Sequence, residues 1–469
     1  MKRKRFWFVL TAALAVAAIG TGVAVAGSPF DSDAATERGF RKALADNDPR
    51  DVIVLIGDGM GTQEITAARY YQGVDNPLNV DRMPLTGFDT TWSVKPAASA
   101  PYLPDYVPDS ASTGTMWATG QKTIDERISQ GPSSGEKVPG PNLETILEQA
   151  QEKGMRVGDV STAEITDATP AVLAAHMSLR GCQGPSNMAN CPTETKAAGG
   201  LGSIAEQMVD HKVDVLLGGG RARFEQPITG GPYAGGNVIQ SAEKQGYKYV
   251  SNAADLAAYN NKNKPVLGLF NSSNMALEWT GPVASLGKGN QPAVPCTEGN
   301  RPANEPSLAA MTQKAIQLLQ NEDGFFLQVE GASIDKQDHA TNACGQLGET
   351  VAFDEAVGVA LAYRENHPDT LILVTADHSH TSQIVSEDAS GTGLPTGYST
   401  NVVTKDGQTM SLTYGTTGYG GEGKAPVAPN TVSQQHTGAT VPVWGSGPRA
   451  LGILGTNDHT DLFEVMGGS

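Results

Sequence analysis

The chain has 469 residues and a formal charge of −17, from 50 acidic against 33 basic side chains. Such an acidic chain opposes nucleic-acid binding, and an anionic substrate would have to be attracted by local cations, either bound metals or a placed arginine. With 39% apolar residues the chain can build a sizeable core, and no linker, repeat or low-complexity tract divides it.

Lys2-Arg3-Lys4-Arg5 precedes an apolar stretch from Phe6 to about Ala26 that closes on Ala24-Val25-Ala26. A basic start, an apolar run and a small-residue end predict a secretory signal peptide over 1–26. The competing reading is an uncleaved anchor, but nothing after Ala26 resembles a stop-transfer flank. The expected mature chain is secreted or periplasmic, with no membrane segment left. Its charge moves to about −21, because the signal takes away four cations. All four cysteines (Cys182, Cys191, Cys296, Cys344) lie in the mature region, and an even count in an oxidising compartment implies two disulfides. Three pairings are possible. Cys182 and Cys191 flank a Gly/Pro/Asn loop and are the expected partners, which leaves Cys296 with Cys344. A cysteine zinc site has no C-x-x-C pair to support it.

Val52 to Ile56 reads as a buried strand that runs into Gly57-Asp58-Gly59-Met60-Gly61, where a lone Asp58 is more often a turn former than a ligand. Asp109-Ser110-Ala111-Ser112 leads into a helix. Asp109 suits an N-cap, and Ser110 at a helix N-terminus suits a nucleophile acting on an anion. A serine-esterase reading lacks the G-x-S-x-G elbow, whereas a metal would lower the hydroxyl pKa. Asn142 to Ala150 and Leu308 to Gln320 carry apolar residues at helical spacing. Arg156 to Val160, Val213 to Leu217 and Val266 to Phe270 have strand character. Gly218-Gly219-Gly220 lacks the Lys-Ser/Thr of a phosphate loop and reads as a tight turn.

Phe325 to Val329 is a further strand, followed by Glu330, Asp335, Lys336, Asp338 and His339. A helix after Ile334 places Asp335 and His339 on one face, the spacing for a shared metal ion; the alternative is a solvated helix start capped by Asp335. Leu371 to Val374 is followed by Thr375-Ala376-Asp377-His378-Ser379-His380. The stretch from Glu387 to Asn430 reads as a loop-rich insertion with a hairpin turn at Lys405-Asp406-Gly407. Alternating strands and helices predict an α/β fold, a three-layer sandwich whose mainly parallel central sheet is flanked by helices. Three buried strands that deliver Asp, Glu or His at their carboxyl ends predict one multi-metal centre.

These residues fall in long signatures: Ile56-Gly57-Asp58-Gly59-Met60-Gly61, Asp109-Ser110-Ala111, Asp167-Ala168-Thr169-Pro170, Val329 to His339, Thr375-Ala376-Asp377-His378 and His436-Thr437-Gly438. Through them the chain closely resembles the bacterial alkaline phosphatases of the enteric type, from about Asp51 to Phe463. The sulfatase nucleophile motifs C-x-P-x-R and S-x-P-x-R are absent. The resemblance implies two zinc ions and one magnesium ion per subunit. One zinc falls to Asp335, His339 and His436. The second falls to Asp377, His378 and Asp58, and Asp58 also bridges to a magnesium bound by Glu330 and Thr169, with Asp167 acting through bound waters. Ser110 becomes the nucleophile that forms a phosphoserine, Arg180 the grip on phosphate oxygens, and Lys336 a second cation near the phosphate. Asp167 and Lys336 stand where some relatives carry His or Trp, which favours zinc and magnesium over cobalt. Asp109 and His380 are expected behind the ligands, His380 orienting a ligating carboxylate. His176, His211, His367 and His459 have no such context and are expected to be structural or at the surface.

The expected domain is 51–469, preceded by an arm over 27–50 that reaches the partner in a homodimer. Small phosphate monoesters are the implied substrates and inorganic phosphate the product. A phosphate- or metal-binding protein would explain the ligands but leave Ser110 without a role. A diesterase or sulfatase on the same fold would differ in turnover on diesters.

Overall fold

The computed structural model describes residues 48–287, 289, 291–387, 397–417 and 433–469. The expected signal peptide (1–26) and most of the expected arm (27–47) lie outside the described residues, as does much of the 387–430 insertion.

Strand β1 (Asp51–Gly57) is buried at every position. Ile53 and Leu55 enter one apolar core, while Val52, Val54 and Ile56 enter another. Successive side chains of a strand point to opposite faces, so a strand apolar at every position must be covered on both. The other strands of the same sheet are β2 (Leu85–Thr90), β3 (Arg156–Glu164), β4 (Val215–Gly219), β5 (Lys248–Val250), β6 (Val266–Leu269), β7 (Phe325–Gly331), β8 (Thr370–Thr375), β9 (Val441–Ser446) and β10 (Gly455–Asp458). They order as β10-β2-β9-β8-β1-β7-β3-β4-β6-β5. Every pairing from β8 across to β5 is parallel, and β9 runs against both its neighbours.

Two helical layers close the sandwich. On one face lie α1 (Thr62–Tyr71), α4 (Leu308–Leu319) and α6 (Ala343–Asn366), which supply Ile65, Met311, Ala315, Ala356, Val357 and Ala360 to the first core. On the other lie α2 (Ser110–Thr119) and α3 (Ala168–Ala174), which supply Ala111, Trp117, Ala118, Ala171 and Val172 to the second. The short helix α5 (Ser333–His339) follows β7 directly.

Register explains where a site forms. Ile56 sits beside Glu330 of β7 and Thr375 of β8, and Glu330 sits beside Ser161 of β3. Three adjacent parallel strands, β8, β1 and β7, therefore end at one level beside β3, which runs on to Glu164, and the polar residues there meet.

The sequence-based elements need some correction. The helix expected from Asn142 starts at Ile146, because Thr145 and Glu148 form a reciprocal capping box that fixes the first turn there. β4 starts at Val215, two residues after the expected Val213, and includes Gly218 and Gly219; Gly220 then turns the chain at φ +86°. Tyr398–Val403 and Thr409–Tyr414 form the expected hairpin, with Gly407 at φ +80° in the turn. The hairpin joins Ser382–Val385 and Ser285–Leu286 in a four-stranded sheet. Both expected disulfides are present, Cys182–Cys191 and Cys296–Cys344. Among the described residues no helix is long and apolar enough to cross a membrane.

Candidate active site

Three kinds of group meet beyond the carboxyl ends of β1, β7 and β8. The first is built on α5, where Asp335 and His339 stand one turn apart with Nε2 of His339 3.3 Å from Oδ1 of Asp335. His436 approaches from a loop and puts its own Nε2 3.3 Å from the same oxygen and 3.0 Å from Nε2 of His339. Both rings have a fixed tautomer. Nδ1 of His436 faces the carbonyl of Pro108 at 3.0 Å, and Nδ1 of His339 faces that of Gln434. A carbonyl only accepts, so each Nδ1 holds a proton and each Nε2 is the nitrogen that faces the Asp335 oxygen. Two ring nitrogens and a carboxylate oxygen that converge this closely suit a shared cation. A tetrahedral zinc with bonds of about 2.0–2.1 Å separates its ligands by about 3.4 Å, close to the spacings found. His380 donates from behind, with Nε2 2.6 Å from Asp335 Oδ1, as expected of a residue that orients the carboxylate. Burial opposes ionisation of Asp335, but His339, His380 and His436 hold its carboxyl well below the usual range.

The second group is Asp58, Asp377 and His378, all buried. Nε2 of His378 lies 3.3 Å from Asp377 Oδ2 and 3.5 Å from Asp58 Oδ1. Asp377 is oriented through its other oxygen by the backbone N–H groups of Gly59 and His378, each at 2.9 Å. Asp58 Oδ1 and Asp377 Oδ2 are then buried with no hydrogen-bond partner. Burial drives the Asp58 carboxyl well up, and Asp335, Asp377 and Glu330 drive it further. Such crowding of buried carboxylates fits a site for divalent cations.

A third, all-oxygen set lies beside it. Glu330 is buried and pushed up to about 7, mainly by burial, although Lys336 and Ser161 oppose the shift. Thr169 Oγ1 is buried without a hydrogen-bond partner. Hard oxygen donors of this kind suit magnesium. Ser161, which donates to Glu330, escaped the sequence reading: it lies inside a strand, and β3 shifts register between Val160 and Glu164. Asp159 is a further buried carboxylate on β3, with Oδ2 unpartnered and its pKa driven well up by burial and then by Glu330.

Ser110 is the first residue of α2 and lies between these groups. Its Oγ is 3.4 Å from Nε2 of His378. Asp109 is the N-cap, as expected of this motif. One Asp109 oxygen accepts from Ser112 N at 2.9 Å, and the other accepts from Glu126 N at 3.0 Å and Arg180 at 3.1 Å. The second terminal nitrogen of Arg180 donates to Asp167 Oδ1 at 2.9 Å, and Lys336 donates to Asp167 Oδ2 at 2.9 Å. Burial alone would raise the Asp167 carboxyl, but Lys336 and Arg180 hold it well below the usual range. Arg180 spends two of its five N–H donors on these carboxylates, which aim the guanidinium and leave three for an anion. The residues expected to hold metal or phosphate therefore meet in one place, while His176 and His211 lie elsewhere. So do His367 and His459. Nδ1 of His459 faces buried Asp89 at 3.1 Å, and His367 stacks on Tyr363.

The chain matches the alkaline phosphatase family model over residues 49–468. It is 44% identical to the alkaline phosphatase of Escherichia coli across 91% of this chain and 87% of that one. It is 45% identical to the streptomycin-6-phosphate phosphatase of Streptomyces griseus across 89% of each. Among solved structures, the alkaline phosphatases of the Antarctic bacterium TAB5 and of Thermus thermophilus share its fold, each with a TM-score of 0.62 at 22% and 20% identity. They cover 90% of this chain, which in turn covers 98% and 91% of theirs. The chain therefore belongs to the alkaline phosphatase family of metal-dependent enzymes and is a phosphoric monoester hydrolase.

Proposed function

We propose that this is an exported alkaline phosphatase that hydrolyses small phosphate monoesters through a phosphoserine on Ser110, and that it works as a homodimer. The observation that carries the reading is the position of Ser110 Oγ, at a helix N-terminus and 3.4 Å from His378, with Arg180 tethered to its own N-cap Asp109. A protein that only holds an anion has no use for a hydroxyl placed there.

The donor sets divide by chemistry. Asp335, His339 and His436 would hold one zinc, and Asp58, Asp377 and His378 a second. Asp58, Thr169 and Glu330 would hold magnesium, with Asp167 reaching it through water. Bound cations supply Lewis acidity, which lowers the pKa of the attacking group and offsets charge on the attacking and leaving oxygens. The remaining work falls to the chain. Arg180 directs two N–H groups at non-bridging oxygens of the phosphoryl group and fixes its orientation. Lys336 adds a point charge beside Asp167, and the N-terminus of α2 favours the anion further. Ser110 Oγ attacks phosphorus in line, forming the Oγ–P bond as the bond to the alcohol breaks, and the proton lost by the hydroxyl is balanced by one gained by the departing alkoxide. Water then attacks phosphorus from the opposite side, the Oγ–P bond breaks, and Ser110 regains its proton as inorganic phosphate leaves.

The relatives do not choose among monoesters, since one is named for a single phosphorylated antibiotic and another for the general activity at nearly equal identity. The basic and apolar opening of the chain supports export. At alkaline pH, nitrophenol release from an aryl phosphate monoester should far exceed release from the matching diester, and a chelator should stop it. Equal turnover on the two would overturn the reading in favour of a diesterase.

A further inference from the structure

A second cluster of histidines and a carboxylate forms in the helical layer that contains α3. Glu148 lies in the helix Ile146–Glu152, His176 follows α3, and His211 ends the helix Ile204–Asp210. Nδ1 of His176 faces the carbonyl of Ser129 at 2.9 Å, and Nδ1 of His211 faces that of Ala174 at 2.7 Å. Both Nδ1 atoms therefore hold protons, and both Nε2 atoms are the ends left for other work. They converge on a single oxygen, Oε1 of Glu148, at 3.1 and 3.7 Å. One ligand atom from each residue lies within 4.8 Å of the others.

The cluster is held ready. The other Glu148 oxygen accepts from Thr145 N at 2.8 Å, which orients the carboxylate. Gln207 grips the His176 backbone twice, accepting from its N–H at 2.9 Å and donating to its carbonyl at 3.0 Å. His176 is buried, while His211 and Glu148 are each about a quarter exposed, so an ion can enter from their side. The separations of 3.1 and 3.7 Å straddle the spacing of about 3.4 Å between ligands of a tetrahedral zinc. The tautomers match those of His339 and His436 around Asp335. For both imidazoles to donate to Glu148 without a metal, each would need a second proton, setting two positive rings against one carboxylate oxygen.

We propose that Glu148, His176 and His211 form an additional divalent-cation site of zinc type, separate from the catalytic centre, with one coordination position open to water. Among the described residues no serine hydroxyl or arginine is tied to it as Ser110 and Arg180 are tied to the catalytic groups, so its role is to pin three segments of the chain. His176 also stands four residues before Arg180. The segment between them is held by an isolated bridge of Met177 with Ile128 and by the Arg180 N–H donating to the Glu126 carbonyl, so the clamp steadies the segment that carries the arginine proposed to grip phosphate.

The test uses the enzyme with its catalytic metals loaded and dialysed against zinc chloride. Metal per chain is measured by mass spectrometry, melting temperature in parallel, and turnover on an aryl phosphate as a control. The wild type should hold one zinc more per chain than His211→Ala. Added zinc should raise its melting temperature but not that of the variant, and both should keep the same turnover. Should His211→Ala fail to fold, Glu148→Gln provides the comparison, because its amide oxygen still accepts from Thr145. Equal zinc content in wild type and variant, or no rise in wild-type melting temperature with zinc, would overturn the proposal.

Discussion

The proposed catalytic group of Asp335, His339 and His436 and the proposed peripheral group of Glu148, His176 and His211 share one local design. In each, two imidazoles give their Nδ1 protons to backbone carbonyls and turn Nε2 toward one carboxylate oxygen. They differ in what surrounds them. The catalytic group sits where three parallel strands end together, beside a second carboxylate–histidine set, a helix N-terminus carrying Ser110, and an arginine aimed by two carboxylates. The peripheral group sits among helix ends, with none of these. Ligand geometry accounts for holding a cation; reactivity comes from the nucleophile and anion-binding groups that the sheet edge brings alongside.

Metal removal separates the two most strongly. Exhaustive chelation should abolish turnover, zinc should restore it, and magnesium should enhance the recovery. Milder chelation that empties only the peripheral group should lower the melting temperature and leave turnover unchanged. Full activity in metal-free protein would break the distinction.

The disulfides offer a smaller contrast. Cys344 opens α6 just after α5, and its bond to Cys296 closes a separation of 48 residues, worth about 4 kcal/mol by loop entropy. Cys182–Cys191 closes 9, worth about 2.5 kcal/mol, and the Cys182 carbonyl accepts from Ile204 at the start of the helix that ends at His211. Cys344→Ser should therefore weaken retention of catalytic zinc, and Cys182→Ser should weaken the peripheral site instead. Zinc affinities unchanged in both variants, measured by competition with a chromophoric chelator, would remove this coupling.

Arg180→Ala should act mainly on the substrate and leave both carboxylate–histidine groups in place, because it touches none of their six residues. The loss of a charge-assisted bidentate contact costs about 3 kcal/mol, or roughly a hundredfold in the affinity for inorganic phosphate. Calorimetric titration with phosphate checks this; an unchanged affinity would mean that the guanidinium serves only Asp109 and Asp167.

Glu349 in α6 belongs to neither group and provides a pH control. It is pushed up to about 8 by burial, and its carboxylate accepts from Glu278 N at 2.8 Å. Because its folded pKa exceeds the unfolded value, the folded chain binds more protons, and stability falls as pH rises from about 4.5 through about 8. Glu349→Gln should remove that slope, a relative gain of about 1 kcal/mol between pH 7 and 8. Denaturant midpoints at the two pH values measure it, and an identical slope in wild type and variant would contradict the assignment.

Much of this was legible before any coordinates. The apolar runs of β1, β7 and β8 and the ionisable residues after them predicted both a parallel sheet and the edge where the site lies. Asp335 and His339 were legible because helical spacing relates them. His436 was reached through the resemblance alone, since it sits in a loop fixed by a backbone carbonyl that no spacing rule anticipates. Ser161 and Asp159 hide inside a strand. The 24-residue α6 escaped because it is buried on most sides and interrupted by Gly345, Gly348 and Gly358, which blurs its period. His176 and His211 were read as structural or surface residues because Glu148, their meeting point, is far from both in sequence.

The central claim is that the sheet-edge group differs from the peripheral one by owning a nucleophile. Labelled phosphate monoester should be quenched in acid after a short reaction with wild type, Arg180→Ala, His211→Ala and Ser110→Ala, and the protein-bound label counted and mapped. The account predicts label on Ser110 in the first three and none in the last, with turnover of Ser110→Ala reduced by orders of magnitude. Label retained in Ser110→Ala, or absent from the wild type, would contradict it.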